Sequence, residues 1–261
     1  MFHIVILFCF YVVLGHTLPL ENTGPSDVRI INGENATLGQ FPWQVGLYLG
    51  FDDTVWFCGG SIISENWILT AAHCLDRSEI AYVYVGTVDL LLVPEMMIST
   101  DLILHEEYNA STLANDIGVI KLSIGLGFND IIAPITLSSE PIEDGAEVTV
   151  SGFGLTSDAD DAETSQFLNY VTVTTIPNSE CAEIYGDSIL ENMVCTSAGS
   201  DPVKGACLGD SGSPAVLNVD TDPLQVAIAS FIGGTGCEEG NPSGFTRIAP
   251  YRDWIQEKTG V

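Results

Sequence analysis

The segment CLGDSGSP at residues 207–214 places Ser211 between an aspartate and a glycine. A serine hydroxyl is almost fully protonated at neutral pH, so it acts as a nucleophile only when a neighbouring base takes its proton. The flanking glycines leave little side-chain bulk around it, as a reactive group on a shaped backbone turn requires. The alternative interpretation is that Ser211 belongs to an ordinary polar loop, and the presence of a base decides between the two.

Two histidines are candidates for that base. The chain has four histidines, of which His3 and His16 lie in the apolar N-terminal region. His73 follows the apolar run ILTAA and precedes Cys74, whereas His105 lies between apolar and acidic residues, as is typical of a sheet edge or a surface. A single histidine is more often structural than catalytic, so this pattern alone assigns neither.

The elements that must position these residues are predicted to be β-strands. The chain has 261 residues, 46% of them hydrophobic and 16% charged, so it can bury a large core in one or two domains. Short apolar or alternating segments between turns indicate an all-β fold, and residues 125–145, rich in turn formers, divide it into two similar halves. Helical spacing appears only in Tyr251, Trp254, Ile255 and Lys258. The predicted strands are 44–49, 80–85, 117–122, 147–152, 167–174 and 225–231.

The N-terminal region resembles a secretory signal. Its apolar run, residues 4–14, is shorter than the roughly 20 residues of a transmembrane anchor, the alternative interpretation. Cleavage is expected after Gly15 or Thr17, although no Lys or Arg precedes the run. Secretion makes two sequons, at Asn35 and Asn109, available for glycosylation.

The cysteine count agrees with an oxidising compartment. Of seven cysteines, Cys9 lies in the apolar run, which leaves an even set of six. Three disulfides are expected, and 15 connectivities are open from the sequence alone. No CxxC or CxxH pair occurs, so we expect no metal site.

The charge excludes several partners. Seven Lys and Arg stand against 35 Asp and Glu, so the chain cannot assemble the basic surface that nucleic acids or anionic membranes require. The acidic run at residues 158–163 lacks the spacing and glycine of a calcium loop. We expect a solvated loop there.

Several blocks of sequence resemble one family. WILTAAHC at 67–74, NDIGVIKL at 115–122 and GDSGSP at 209–214 are similar, in this order, to the catalytic blocks of the chymotrypsin-like serine proteases of the trypsin family. RIING at 29–33, FPWQVGL at 41–47 and TRIAPYRDWI at 246–255 resemble its activation site, first strand and closing helix. The resemblance is nearest to the arthropod digestive branch, with brachyurin collagenases and insect chymotrypsins, and shares features with elastases. It implies two six-stranded antiparallel β-barrels and a C-terminal α-helix.

The resemblance implies a role for each site residue. His73 would be the general base and acid, Asp116 would orient its imidazole, and Ser211 would attack the scissile carbonyl. The N–H groups of Gly209 and Ser211 would form the oxyanion hole. Taken alone, Asn-Asp before an apolar strand is equally typical of a turn, so the assignment of Asp116 depends on the resemblance.

Disulfides and activation are also implied by the resemblance. A trypsin-like cut after Arg29 would free the ammonium of Ile30 to pair with Asp210. The implied domains are a signal peptide at 1–17, a propeptide at 18–29 and a peptidase at 30–261. Within the peptidase, the first barrel covers about 30–135, the second about 136–248 and the terminal helix about 249–259. The implied disulfides are Cys58–Cys74, Cys181–Cys195 and Cys207–Cys237.

The expected substrate pocket departs from the best-known relatives. Gly205 falls at its base, where trypsins carry aspartate, and Leu208 at its rim. Ile232 and Ser243 fall at the walls, which favours small aliphatic P1 side chains over aromatic ones. SFIGGTGC has one residue more than the chymotrypsin segment, so Gly233 is the alternative wall residue. Ser213 replaces the second glycine of the usual GDSGGP.

The expected function is that of a secreted serine endopeptidase, made as a zymogen and digestive in a gut lumen. The alternatives are a protease of a defence cascade and an inactive homologue that acts as a binding module. Expected partners are polypeptide substrates, an activating trypsin-like protease and protein protease inhibitors. We expect no cofactor and a monomer.

Overall fold

The computed structural model of the chain describes residues 30–159, 162–199, 202–233 and 236–261. The predicted signal peptide and propeptide lie outside the described residues. The strands are β1 (Glu34–Asn35), β2 (Gln44–Phe51), β3 (Thr54–Ser64), β4 (Trp67–Thr70), β5 (Ile80–Val85), β6 (Glu95–Ser99), β7 (Asp101–Leu104), β8 (Gly118–Lys121), β9 (Thr136–Leu137), β10 (Glu147–Gly152), β11 (Asn169–Ile176), β12 (Met193–Ser197), β13 (Pro214–Leu217), β14 (Leu224–Phe231) and β15 (Ser243–Arg247). The helices are α1 (Ala72–Leu75), α2 (Asn178–Tyr185) and α3 (Arg252–Thr259).

The first barrel is a sheet with the strand order β6-β5-β2-β3-β4-β8-β7. Thr100 alone separates the two end strands in the chain, so residues 95–104 pair with β5 on one side and with β8 on the other. Leu47 and Leu49 of β2 are fully buried, as the alternation of its sequence predicts. The interior is therefore a packed apolar core.

The second barrel is closed. Its strand order is β11-β10-β13-β14-β15-β12, and β12 pairs back with β11. The short β1 adds to β11, so the start of the described chain is hydrogen-bonded to the second barrel, not to the first. The segment between the halves contributes β9, which runs parallel to β14.

The two barrels share a core across their junction. Phe153, Val216 and Ile228 of the second barrel belong to the same buried cluster as the interior of the first. Tyr251 and Ile255 pack into that cluster too, so α3 closes the molecule by the face that its spacing predicts. No helix in the described ranges has the length and apolar character needed to cross a membrane.

The prediction of an all-β protein with two antiparallel barrels and a C-terminal helix is confirmed. The strand count differs in the first barrel, because the interruption at Thr100 divides one bent strand into β6 and β7. Every predicted strand has a counterpart: 80–85 and 147–152 match at both ends, and the ends of the other four move by at most two residues.

Candidate active site

Strand pairing brings His73 and Asp116 to the same edge of the first barrel. β4 and β8 are antiparallel, with Thr70 opposite Gly118. His73 follows the end of β4, within α1, and Asp116 precedes the start of β8. Because antiparallel neighbours place the end of one strand beside the start of the next, the two residues meet although 43 positions separate them.

Asp116 is completely buried and accepts three hydrogen bonds. One oxygen accepts the backbone N–H of His73 at 2.8 Å, and the other contacts Nδ1 of the ring at 2.7 Å. Ser230, on β14, donates its hydroxyl to that second oxygen at 2.6 Å. Nδ1 therefore carries the proton, which leaves Nε2 as the free acceptor of the ring.

The Asp116 carboxylate also helps to raise the pKa of a neighbouring side chain, the phenol of Tyr108. Burial, followed by the negative charges of Asp116 and Asp76, raises the pKa of Tyr108 to about 12. The phenol is therefore neutral throughout the physiological range.

The loop that carries Ser211 is attached to both barrels. The carbonyl of Ser211 accepts the N–H of Gly59 on β3 at 2.7 Å. The N–H of the next residue, Gly212, donates to the carbonyl of Ala229 on β14 at 2.8 Å. Gly212 has a φ of +82°, and a Cβ there would overlap the side chain of Thr70 at the end of β4. Only glycine fits this position, so the loop lies directly against the strand that leads to His73.

Two backbone N–H groups of this loop are free. Gly209 has a φ of +94°, and neither its N–H nor that of Ser211 donates to another residue in the described ranges. A Cβ on Gly209 would lie 3.1 Å from Cα of Gly154, which again requires glycine. These two donors can receive negative charge on a substrate oxygen.

No hydrogen bond joins Nε2 of His73 to Ser211 within the part of the chain that the structure describes. Nε2 instead lies 3.7 Å from Sγ of Cys74. Bonds between a base and a nucleophile are often long in free enzymes and shorten when substrate binds.

Asp210 is a buried acid beside the serine. Its carboxylate accepts the N–H groups of Gly154 at 2.8 Å and Cys207 at 2.9 Å. Complete burial outweighs these two bonds and raises the pKa of Asp210 to about 7. The side chain of Ile30 is fully buried in the same apolar cluster as Ala206, the neighbour of Cys207.

A cavity of about 230 Å³ opens beside Ser211. Ile232 and Leu208, two of the four expected pocket residues, line it, and Leu208 is 59% exposed at the rim. Gly205 and Ser243 are not among its lining residues, although Ser243 Oγ lies 3.4 Å from a Cβ built on Gly205. The complete lining comprises Ala206, Cys207, Leu208, Ser211, Ala229, Ser230, Phe231, Ile232 and Gly244.

Phe231 forms a wall that the sequence did not indicate. Its ring covers Gly244 so closely that a Cβ there would overlap it, and Tyr185 packs edge-on against it at 5.5 Å. Gly233, the alternative wall residue, faces the hydroxyl of Tyr185 and lines a second, adjoining cavity instead. Ile232 lines both cavities.

Three disulfides join the pairs that the resemblance implies. Cys58–Cys74 links β3 to α1 directly after His73, and Cys207–Cys237 links a residue of the cavity lining to the segment after β14. Cys181–Cys195 joins α2 to β12.

Ser213 takes part in a buried polar network between the barrels. Its hydroxyl accepts Nε2 of Gln44 at 3.4 Å, and Gln44 in turn accepts the hydroxyl of Ser151 at 2.6 Å. A Cβ on Gly59 would overlap Ser213, so the added side chain occupies space that another glycine leaves open.

The remaining candidates lie elsewhere. His105 donates its N–H to Ile117 and packs against Tyr251 and Trp254, which indicates a structural role. The sequons at Asn35 and Asn109 are both exposed.

Sequence reasoning missed Ser230, which completes the bonding of Asp116. Its only signal is its place at the start of SFIGG, at the end of an apolar strand. Phe231 was missed for the same reason, since β14 was treated as a strand and only the residues after it as pocket.

Comparison with known proteins agrees with this geometry. The family model described as trypsin matches residues 30–255. Brachyurin from Leptuca pugilator is 37% identical over 89% of this chain and 99% of its own length. The corresponding values for collagenase from Hypoderma lineatum are 39%, 89% and 88%, and for trypsin alpha from Drosophila melanogaster 36%, 97% and 96%. A solved structure titled HL collagenase superimposes with a TM-score of 0.78 at 37% identity, covering 89% of this chain and 99% of that one.

The fold and these relatives define the class of protein: a serine endopeptidase, a hydrolase of the chymotrypsin and elastase type that acts on polypeptides. The chain belongs to the trypsin family.

Proposed function

We propose that the chain is a secreted digestive endopeptidase, made as a zymogen, in which Ser211, His73 and Asp116 are the catalytic triad. The observation that carries the assignment is the pairing of His73 with a completely buried Asp116, beside a serine loop attached to both barrels. A buried carboxylate with three donors holds one tautomer of the imidazole and stabilises its protonated form.

The proposed reaction proceeds through an acyl-enzyme. Nε2 of His73 takes the hydroxyl proton of Ser211 as Oγ bonds to the scissile carbonyl carbon. The N–H groups of Gly209 and Ser211 bind the resulting oxyanion, each contributing about 3 kcal/mol. The C–N bond then breaks as His73 gives its proton to the leaving amine, and water, deprotonated by His73, releases the acid and restores Ser211.

Activation is proposed to follow a cut between Arg29 and Ile30 by a trypsin-like protease. The new ammonium would pair with Asp210, whose buried carboxylate has two N–H donors but no cationic partner among the described residues. The burial of the Ile30 side chain supports this, because it already fixes that residue in the core of the second barrel. The pairing would stabilise the loop that carries Gly209 and Ser211.

We propose a preference for Ala, Val or Leu at P1. Among the described residues, the cavity lining holds no charged side chain, so Lys and Arg gain no partner from it. Ile232 takes part of the wall space that an aromatic P1 ring would need, and each methylene that does not fit costs roughly 1 to 3 kcal/mol in discrimination.

The digestive role is proposed from the relatives and the charge. With only seven Lys and Arg in the whole chain, the protein offers few sites to trypsin-like enzymes in a shared gut lumen.

The test combines labelling with activation. Trypsin treatment of the parent precursor should generate Ile30 as a new N-terminus and allow a sulfonyl fluoride to label Ser211. Ser211→Ala should undergo the same cut but lose labelling, and Arg29→Gln should stay uncut and inactive. Equal labelling of Ser211→Ala would exclude the assignment, and full activity of the uncut precursor would exclude the zymogen.

A further inference from the structure

Asp158 forms three reciprocal hydrogen bonds with Cys237 and Glu238, which are distant from it in the sequence. Its carboxylate accepts the N–H of Cys237 at 2.8 Å and the N–H of Glu238 at 2.7 Å. In return, its own N–H donates to the carboxylate of Glu238 at 3.0 Å. A Cβ on Gly236 would overlap the Asp158 carboxylate, so this side chain lies against the backbone of residue 236 as closely as only glycine allows. We call these three bonds the Asp158 clamp.

On one side, the clamp holds the far end of a cavity wall. The loop begins with Phe231 and Ile232, which line the cavity beside Ser211, and ends at Cys237. The disulfide from Cys237 leads to Cys207, which lines the same cavity. A displacement at Cys237 therefore reaches the cavity lining through its disulfide to Cys207.

On the other side, the clamp is anchored to the loop of the proposed nucleophile. Four residues before Asp158, the N–H of Gly154 donates to Asp210 at 2.8 Å. The N–H of Leu155 donates to the carbonyl of Leu208 at 2.7 Å. Residues 154–158 thus connect the loop of Leu208 and Asp210 to residues 237 and 238 by hydrogen bonds in which backbone N–H groups are the donors.

Asp158 differs from Glu163, the other described acidic residue of its run. The sequence predicts a solvated loop, and Glu163 is exposed, with no hydrogen bond or ion pair to another described residue. Asp158 is also exposed, but its two acceptor bonds are charge-assisted and directed at backbone groups that no side-chain rearrangement can move away.

We propose that Asp158 is a positioning residue for substrate specificity, which fixes Cys237 against the loop of Asp210 and, through Cys237, the cavity lining at Cys207 and Ile232. The proposal rests on the proposed function, since it assigns this cavity to the P1 side chain. Without the carboxylate of Asp158, Cys237 keeps its disulfide, but Cys237 and Glu238 lose their N–H bonds to residue 158. The wall then adapts to different side chains, so binding weakens and P1 discrimination falls, while the triad keeps its own contacts.

The experiment compares Asp158→Ala and Asp158→Asn with Glu163→Ala, which removes an equal charge from the same acidic run. After trypsin activation, active sites are titrated with a sulfonyl fluoride, and kcat and KM are measured for matched Ala, Leu and Phe peptides. For Asp158→Ala we expect about a tenfold rise in KM, kcat within about twofold, and an Ala-to-Phe ratio of kcat/KM closer to one. Asp158→Asn keeps one acceptor oxygen and should lie between the parent and the alanine variant.

The outcomes separate the two proposals. If the parent is not labelled at Ser211, the proposed function fails. If it is labelled, and the titrated Asp158 variants match Glu163→Ala in KM and in P1 ratio, the positioning role is wrong. A general loss of stability would lower the concentration of titrated active sites without changing KM. If Asp158→Ala does not fold, an unchanged KM and P1 ratio in Asp158→Asn overturns the proposal.

Discussion

The edge that holds His73 and Asp116 and the wall that holds Ile232 are built in different ways. The first depends on strand pairing, since the register of β4 and β8 alone brings the two residues together. The second depends on side chains from distant segments: Asp158 reaches Cys237, and Tyr185 reaches the carbonyl of Pro242 at 2.6 Å.

Because of this difference, the residues proposed for catalysis are held by the sheet, whereas those proposed for substrate selectivity are held by contacts between loops. A sheet ladder is cooperative and buried, so the proposed catalytic pair is held as rigidly as the core. A loop fastened by a few polar contacts changes its shape when one of them is lost, without disturbing the sheet. Substitutions at the edge should therefore change kcat, and substitutions at the wall should change KM and substrate ranking.

The largest effect should come from Asp116→Asn. The amide keeps the shape of the side chain but no longer fixes the Nδ1–H tautomer of His73, and in this family such a change lowers kcat about 10⁴-fold. Steady-state kinetics on a Leu peptide measures it. Asp101→Asn, an exposed change on β7, is the control, and a loss below tenfold for Asp116→Asn would contradict the assignment.

Asp210→Asn should lower activity at least about a hundredfold, the effect of losing an oxyanion donor. Stability of the uncut chain should change in the opposite direction. Burial raises the pKa of Asp210 from 3.8 to about 7, so its contribution to stability is full below pH 3.8 and lost as pH rises towards 7. The loss is about 4 kcal/mol.

Urea unfolding of the uncut chains at pH 4.5 and pH 7.5 provides the measurement. The parent should lose more stability than Asp210→Asn between these two values, because the amide does not ionise. Equal slopes for both chains would show that the carboxyl of Asp210 is not buried without a partner in the uncut protein.

Ser230→Ala should lower kcat about tenfold. It removes one of three donors to the buried Asp116 carboxylate and leaves both contacts with His73 in place. A hydrogen bond to a charged group contributes about 1.5 to 3 kcal/mol, part of which the remaining donors retain. Because Ser230 also lines the cavity, KM for an Ala peptide is followed in parallel. A change in KM alone would assign Ser230 to the wall.

Ile232→Gly should have the smallest effect on rate and change selectivity most visibly. Loss of the side chain enlarges the cavity wall, so kcat/KM for a Phe peptide should rise about tenfold relative to Ala. Ile124→Gly, at an exposed site, controls for the cost of a glycine. A parent enzyme that already prefers Phe, with no gain in the variant, would replace the proposed preference by a chymotrypsin-like one.

Sequence reasoning reached the strands and the barrels because their signals are local. Alternation in residues 44–49 and 80–85 encodes β2 and β5 directly, and the motifs around His73, Asp116 and Ser211 are contiguous blocks. The Asp158 clamp could not be predicted from the sequence. An acidic residue in a polar run has the same local pattern whether or not it bonds to a backbone N–H 79 positions later in the chain.

The cavity wall illustrates the same limit. Ile232 was expected there and lines it, but Phe231 was not, because its place depends on the fit of its ring over Gly244. Phe231 pairs with Gly244 where the register between β14 and β15 shifts, between Ala229 and Phe231. A bulge of this kind has no signature in either strand alone.

The pairing of β1 with β11 limits how far the chain end at Ile30 can travel. Glu34 is held opposite Tyr170, and its carboxylate accepts the Tyr170 hydroxyl at 2.8 Å. At about 3.5 Å per residue, a four-residue tether confines the end to roughly 14 Å from that anchor. Under the proposed activation, β1 therefore sets how far the new amino group of Ile30 lies from its anchor at Glu34. A cut one bond earlier or later would deliver an amino group at the wrong length, so the position of the cut is enforced by the receiving barrel as well as by the cutting protease.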